Sequence, residues 1–364
     1  MSRASKHERT TLGRREFVIG AAGLGLAAVA GGLSACAAPG RAGDDPAPQA
    51  AGVQEPQAAA SEPEPEEGSA EPAASNAGAP RVYLTRDISP AGLERAFDAL
   101  GVSPHGRVAV KLSTGEPGGH NFLAPDLIAP LVQRLGGTIV ECNTAYGGAR
   151  STTESHLQAA ADHGFTAIAE VDIMDADGSV SLPVAGGSHL TEDLVGAHFE
   201  NYDWFLSLAH FKGHAMGGFG GAIKNCSIGI ASREGKMLIH SAGASTSSWG
   251  SPAQDGFLES MAEAAKAVSD RLAGSICYVN VMNNLSVDCD CDSHPADPEM
   301  ADIGILASTD PVALDRACVD LVYAASDGGA LIERIESRNG AHTLAHAEAI
   351  GLGSQTYELV ELDA

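Results

Sequence analysis

The side chains able to do chemistry concentrate in two short segments of this 364-residue chain. The first runs His210-Phe211-Lys212-Gly213-His214-Ala215-Met216-Gly217-Gly218-Phe219-Gly220-Gly221-Ala222-Ile223-Lys224-Asn225. Five glycines within residues 213–221, among them Gly218, Gly220 and Gly221, would let backbone N–H groups approach an anion closely. Lys212 and Lys224 would hold its charge, Asn225 would add a polar contact, and His214 would ligate a metal or move a proton. The alternative is a flexible turn whose His and Lys residues point to water. The segment is no known nucleotide loop: Lys224 follows Ile223 rather than Gly, and no GxGxxG is present.

The second segment is Asp288-Cys289-Asp290-Cys291-Asp292-Ser293-His294. In extended backbone, residues two apart share a face, which would bring Cys289 and Cys291 together and set the three aspartates opposite. Paired thiolates suit a soft metal such as zinc, copper(I) or iron in a cluster; paired carboxylates suit a hard cation. Two thiols are an incomplete site, so His294 or a distant histidine such as His240 would have to finish it. A vicinal disulfide or a solvated acidic turn are the competing readings.

Weaker candidates flank these. Lys111, Glu116 and His120 follow an apolar run, and Arg233-Glu234-Gly235-Lys236 with His240 would extend the basic patch through Lys236. Asp315, one turn into a helix that Thr309 or Asp310 would cap before Pro311, could face the site. There is no GxSxG, HExxH, P-loop or EF-hand loop, which disfavours hydrolases that announce themselves by motif.

The elements that must position these residues alternate. Strands are expected at 81–85, 107–112, 138–142, 204–209, 275–282, 302–307 and 357–362. Helices are expected at 90–100, 125–135, 152–163, 256–272, 311–324, 330–337 and 343–350. Gly164 should end the third of these. Such alternation predicts one large α/β domain over 81–364, a mostly parallel sheet with helices on both faces. Both chemical segments would then follow buried strands, where ligands bind in open α/β sheets.

The first eighty residues stand apart. Arg3, Lys6, Arg9, Arg14 and Arg15 precede an uncharged run, Phe17–Ala35, as in an export signal. Gly13-Arg14-Arg15-Glu16-Phe17-Val18 resembles a twin-arginine signal, and Leu33-Ser34-Ala35-Cys36 a lipobox that would acylate Cys36. An uncleaved membrane anchor is the alternative, since about 20 apolar residues span a bilayer. Residues 37–80, rich in Ala, Pro and Glu, read as a disordered spacer. The domain is thus expected outside the cytoplasm, tethered to the cell membrane through lipid. A formal net charge of −25 argues against nucleic acid as a partner. Apart from Cys36, six cysteines at irregular spacing are too sparse for a disulfide scaffold. Outside the cytoplasm such thiols should be oxidised, capped by metal or buried.

Over residues 107–361 the chain resembles the family catalogued as domain of unknown function 362. The resemblance rests on Val110-Lys111-Leu112 with Gly115-Glu116, Asn143-Thr144-Ala145-Tyr146 with Arg150, and His163-Gly164-Phe165. It continues through Phe211-Lys212-Gly213-His214, Lys224-Asn225, Gly229-Ile230-Ala231 with Gly235-Lys236 and His240, and Asp288-Cys289-Asp290-Cys291. Asp302–Ser308 before Asp310–Asp315, and Gly351-Leu352-Gly353-Ser354, complete it. The family has no settled activity. Its members are often fused to ferredoxin-like modules with two four-iron clusters, a module missing here, so an electron donor would be a partner protein. The combined expectation is a tethered lipoprotein with a metal- or anion-binding site, the metal zinc or iron, serving a redox-associated enzyme of unknown reaction. A ligand-binding lipoprotein without chemistry and an assembly factor for a membrane redox complex are the rival classes. Nothing in the sequence names an oligomeric state.

Overall fold

The computed structural model describes residues 78–363. The signal, Cys36 and all but the last residues of the spacer lie outside the described residues.

The chain opens with β1 (Arg81–Thr85), α1 (Pro90–Ala99), β2 (Val108–Lys111), α2 (Pro125–Arg134), β3 (Thr138–Glu141) and α3 (Thr153–Asp162). Then come β4 (Val171–Ile173), β5 (Ser179–Pro183), β6 (Glu192–Gly196) and β7 (Trp204–His210). The first chemical segment forms β8 (Lys212–His214), β9 (Gly218–Gly220) and α4 (Ala222–Cys226), followed by α5 (Arg233–His240) and α6 (Gln254–Leu272). The chain closes with β10 (Ile276–Met282), β11 (Gly304–Ser308), α7 (Pro311–Ala324), α8 (Gly329–Ser337), α9 (His342–Ala349) and β12 (Glu358–Glu361).

Eight strands form one sheet in the order β12-β1-β11-β10-β7-β2-β3-β4. Every neighbouring pair is parallel except the two made by β11, so that strand alone runs against the rest. The fold is therefore the mostly parallel α/β sheet expected. Side chains of the central strands alternate between two cores, as the period of two requires. Trp204, Leu206 and Leu208 of β7 pack with Cys277, Val279 and Val281 of β10 on the α1–α2 face. Phe205, Tyr278 and Met282 point the other way, into the core that holds Ile223, Ala265 and Leu314 of α4, α6 and α7. Both faces are covered.

Local chemistry places the helix ends. Ser89 accepts from Gly92 N at 3.1 Å and Asp310 from Val312 N and Ala313 N at 2.9 Å, each just before a proline in the first turn. Gly164, at φ +89°, follows α3 in the left-handed conformation that a side chain would resist.

The structure departs from or adds to the sequence reading in three places. The strand expected at 302–307 starts at Gly304, where the backbone passes so close to Thr85 O that a Cβ would meet it at 2.3 Å; Asp302 instead accepts from Asn284 N. The glycine-rich segment is an ordered hairpin and helix rather than a loose turn, with residues 211–214 and 217–223 buried. The antiparallel hairpin β5–β6, the edge strand β4 and helix α5 went unread, being short and weakly periodic. Among the described residues no helix is long and apolar enough to cross a membrane.

Candidate functional site

β7 and β10 are parallel neighbours, with Val281 opposite His210, so their exits leave the same edge of the sheet. Pairing continues beyond the strand ends: Phe211 N donates to Val281 O at 2.9 Å and Gly213 N to Ser286 O at 2.8 Å. This zips the β8–β9 hairpin to the segment that carries the cysteines. Gly213 allows it, since a Cβ there would strike Val287 O at 2.2 Å.

Asp290 is the hub of the junction. Its side chain is about 1% exposed, Oδ1 lies 2.8 Å from His210 Nδ1, and Oδ2 lies 2.9 Å from Lys212 Nζ. Its carbonyl accepts from Glu116 N at 2.8 Å, which ties in the exit of β2. Burial would raise its carboxyl, but Lys212 and His210 override burial and hold it well below the usual range.

With Asp290 turned inward, Cys289 and Cys291 face outward together. One ligand atom from each of His214, Cys289 and Cys291 falls within 4.8 Å of the others. The hydrogen bond from Cys291 pulls the Cys289 thiol well down; burial opposes this, and Lys224, whose Nζ is 3.5 Å from Cys289 Sγ, together with Lys212 reinforces it. The same contact and burial push the Cys291 thiol up. Burial and the lysines hold His214 well below its ordinary value, so its ring is neutral. Its Nδ1 accepts from Gly217 N at 2.8 Å, which leaves the ring proton on Nε2. Coordination through Nδ1 would replace the Gly217 bond, and coordination through Nε2 would move the proton. Two thiol sulfurs and an imidazole fit a soft metal with a fourth position open.

The trio forms part of the wall of a cavity of about 260 Å³. Lys111, Lys212, Lys224 and Lys236 line it with His240, and Met216 and Trp249, 43% and 37% exposed, stand at its edge. Gly220, Gly221 and Asn225 also line it, the last holding Lys111 O and Ser207 Oγ through Nδ2 at 2.9 Å. Burial lowers Lys111 to about 8 and His240 to about 4. The His240 ring stacks on Phe257 at 4.8 Å and meets Trp249 edge-on at 4.6 Å, and its Nδ1 faces the Lys236 carbonyl at 2.6 Å. A second cavity, of about 680 Å³, adjoins the first. It shares Tyr146, His214, Ala215, Cys289 and Cys291 and is otherwise acidic, with Glu116, Asp288 and Asp292.

Several expected residues sit elsewhere. His294 is exposed, its Nδ1 against Ser293 Oγ at 2.9 Å and away from the thiol–imidazole trio. His240 lines the cavity without joining that trio. Asp315 lies behind the cavity wall, fully buried, accepting from Ala222 N, Ile223 N and Asn280 Nδ2 at 2.7–2.9 Å. It anchors the start of α4. Gly218, at φ +80°, shapes the hairpin against Gly340 and Ile335 and does not line the first cavity. Glu116 borders the second cavity, with Arg150 Nε 3.7 Å away. His120 pairs with exposed Asp297. The three aspartates do not gather: Asp288 meets Arg334 at 3.3 Å and Asp292 caps His294 N at 2.8 Å.

Residue chemistry alone missed the polar wall behind the lysines. Glu141 accepts from Thr114 N at 2.7 Å and lies 3.2 Å from Arg150 and 3.3 Å from His156, all buried. Burial opposes its ionisation, but Arg150 and His156 hold its carboxyl well below the usual range. The signal was present in Glu141, an acid at the end of an apolar strand. The remaining thiols, Cys142, Cys226, Cys277 and Cys318, are free and buried, one of the fates expected of them.

Residues 108–320 match the family model described as Domain of unknown function (DUF362). No curated protein matches. Among solved structures, the lactate racemase apoprotein from Thermoanaerobacterium thermosaccharolyticum is similar at 13% identity and a TM-score of 0.41, over 66% of this chain and 56% of that one. A Thermotoga maritima protein solved by a structural genomics consortium is similar at 14% identity and a TM-score of 0.40, over 65% and 58%. This chain thus spans a little over half the length of either protein.

Proposed function

We propose that this chain, which belongs to the DUF362 family, binds a soft transition metal, zinc or iron, through His214, Cys289 and Cys291. The observation that carries the reading is the convergence of three soft or borderline donors within 4.8 Å on the wall of a basic cavity. Lys224 supports it, since an ammonium 3.5 Å from Cys289 favours the thiolate that a metal needs. When bound, the metal supplies a Lewis acid or a redox centre at that wall. The protein's own residues then set its surroundings. Asp290 fixes the backbone between the thiols, Lys212 and Lys224 offset their charge, and Met216 and Trp249 restrict water at the edge. We further propose a redox-associated activity of unassigned reaction, which the family's ferredoxin fusions support. The N-terminal pattern of paired arginines, apolar run and Cys36 supports export by the twin-arginine route and a lipid tether to the membrane.

Metal analysis of the purified full-length chain tests the centre. The expected result is stoichiometric zinc or iron that is lost in the Cys289→Ser/Cys291→Ser variant. Metal-free protein with a Cys289–Cys291 disulfide would remove the reading. Radiolabelled palmitate should enter the wild-type chain in cells and not a Cys36→Ala variant; equal labelling would remove the lipid tether.

A further inference from the structure

The charges around the first cavity can be paired one by one. Arg150 and Lys111 face Glu141, at 3.2 and 4.0 Å, and Glu116 lies 3.7 Å from Arg150, two cations against two carboxylates. Lys212 has Asp290 at 2.9 Å, and Lys224 has the Cys289 sulfur at 3.5 Å. Lys236 has no such partner. It is 6% exposed, its ammonium donates to Ala231 O, and among the described residues no carboxylate lies within 4.0 Å of it. The buried acid that feels Lys236, Asp193, is itself pushed by burial up to about 7, so below neutral pH it carries little counter-charge.

Lys236 therefore brings to the cavity wall a buried ammonium with no carboxylate beside it. An ammonium taken out of water without a counterion is costly, and a bound anion would offset that cost. The room is small, about 260 Å³, near the lower limit for organic ligands. Part of its lining is apolar, with Ala145, Ile228, Met216 and Trp249. Gly229 leaves space that a side chain would take, since a Cβ there would meet the Lys111 ammonium at 2.9 Å.

We infer that this cavity takes a small organic monocarboxylate, its carboxylate on the Lys236 ammonium and its carbon chain toward Met216 and Trp249. The inference deepens the reading of the cavity as the chamber beside the metal and rests on it for location, but the ammonium would bind the anion with or without metal.

The test uses the full-length protein, both metal-loaded and chelator-treated, titrated by calorimetry and thermal shift with propionate, propionamide and inorganic phosphate at matched ionic strength. Propionate should bind and raise the melting temperature in both forms, and its neutral isostere propionamide should do neither. Lys236→Met should weaken propionate at least tenfold, the worth of a charge-assisted hydrogen bond, with metal content unchanged. Propionamide equal to propionate, phosphate bound more tightly than propionate, or an unaltered Lys236→Met variant would each overturn the inference. The isostere comparison needs only wild-type protein, so it decides even if the variant does not fold. Metal bound without a propionate response leaves the metal centre standing alone. A propionate response in protein that never holds metal does the reverse.

Discussion

Replacing Asp290 by Asn tests the junction on which the whole site depends. The side chains of Asp290 and Lys212 are 1% and 8% exposed, and their charged atoms are 2.9 Å apart. Removing one partner of a buried ion pair costs about 3–5 kcal/mol, because the other charge is left in low dielectric. Asn keeps the volume and one acceptor. If Oδ1 stays on His210 at its 2.8 Å contact, the amide NH₂ faces the Lys212 ammonium, donor against donor. Lys212 retains its 2.6 Å bond to His210 O, which places the loss at the low end, about 3 kcal/mol. For a large domain each kcal/mol moves the melting temperature by about 2–4 °C, so a fall of roughly 6–12 °C is expected.

Urea titrations of wild type, Asp290→Asn, Lys212→Met and the double variant give the coupling directly. The double variant should recover more than half of the single loss, since the stranded charge is gone with its partner. The pH dependence has a definite sign. The folded carboxyl sits below the unfolded value of about 3.9, so the pair's contribution is fully present above about pH 4 and is lost as pH falls below it. Wild type should lose stability below pH 4 more steeply than Asp290→Asn. A loss under about 1 kcal/mol at pH 7, or strictly additive single effects, would refute the idea that this pair pins the cysteine segment to β7.

Asp315→Ala should cost about 3–5 kcal/mol in urea unfolding while leaving metal stoichiometry intact, because it strands the Ala222 and Ile223 amides and Asn280 in a dry interior; loss of metal with unchanged stability would instead give it a place in the chemistry. Asp193, pushed up to about 7, holds a proton in the folded state that the unfolded chain has shed, so wild-type stability should fall as pH rises from about 4 through 7. Asp193→Asn should lack that slope, shifting its stability relative to wild type by up to about 4 kcal/mol between pH 4 and pH 8; parallel pH profiles of the two proteins would count against it.

The long elements were legible because each carries a redundant signal. Pro90, Pro125 and Pro311 stand at first helical turns, and Trp204–His210 and Ile276–Met282 are apolar on both faces, as strands covered by helices on either side must be. The hairpin β8–β9 was not legible, since its glycines lower local propensity for any element. Gly213 is a strand residue because its N–H pairs with Ser286 O and its backbone lies against Val287, where a side chain would not fit. Tertiary contact decides there, and no local pattern records it. The reversed strand β11 was hidden for a related reason. Val279 and Val281 face Ala307 and Ile305 across an antiparallel ladder, but an apolar run reads the same in either direction.

The meeting of the two chemical segments follows from strand order. His210, the last residue of β7, pairs with Val281, next to last in β10, although more than seventy residues separate them in the chain, and β7 lies between β10 and β2. Whatever follows β7 must therefore emerge beside whatever follows β10 and, on its other side, β2. That rule brings His214 to the cysteines and Glu116 N to Asp290 O, and it brings Lys111 to the same chamber. It also explains His294, which lies past the turn at Cys289–Asp292, where the chain has already left the strand ends for solvent. Spacing along the sequence favoured His294 because it is near the thiols; spacing across the sheet selects His214. A donor set assembled across two adjacent strand ends is held by the sheet's own hydrogen bonds, so its geometry should not depend on a bound metal.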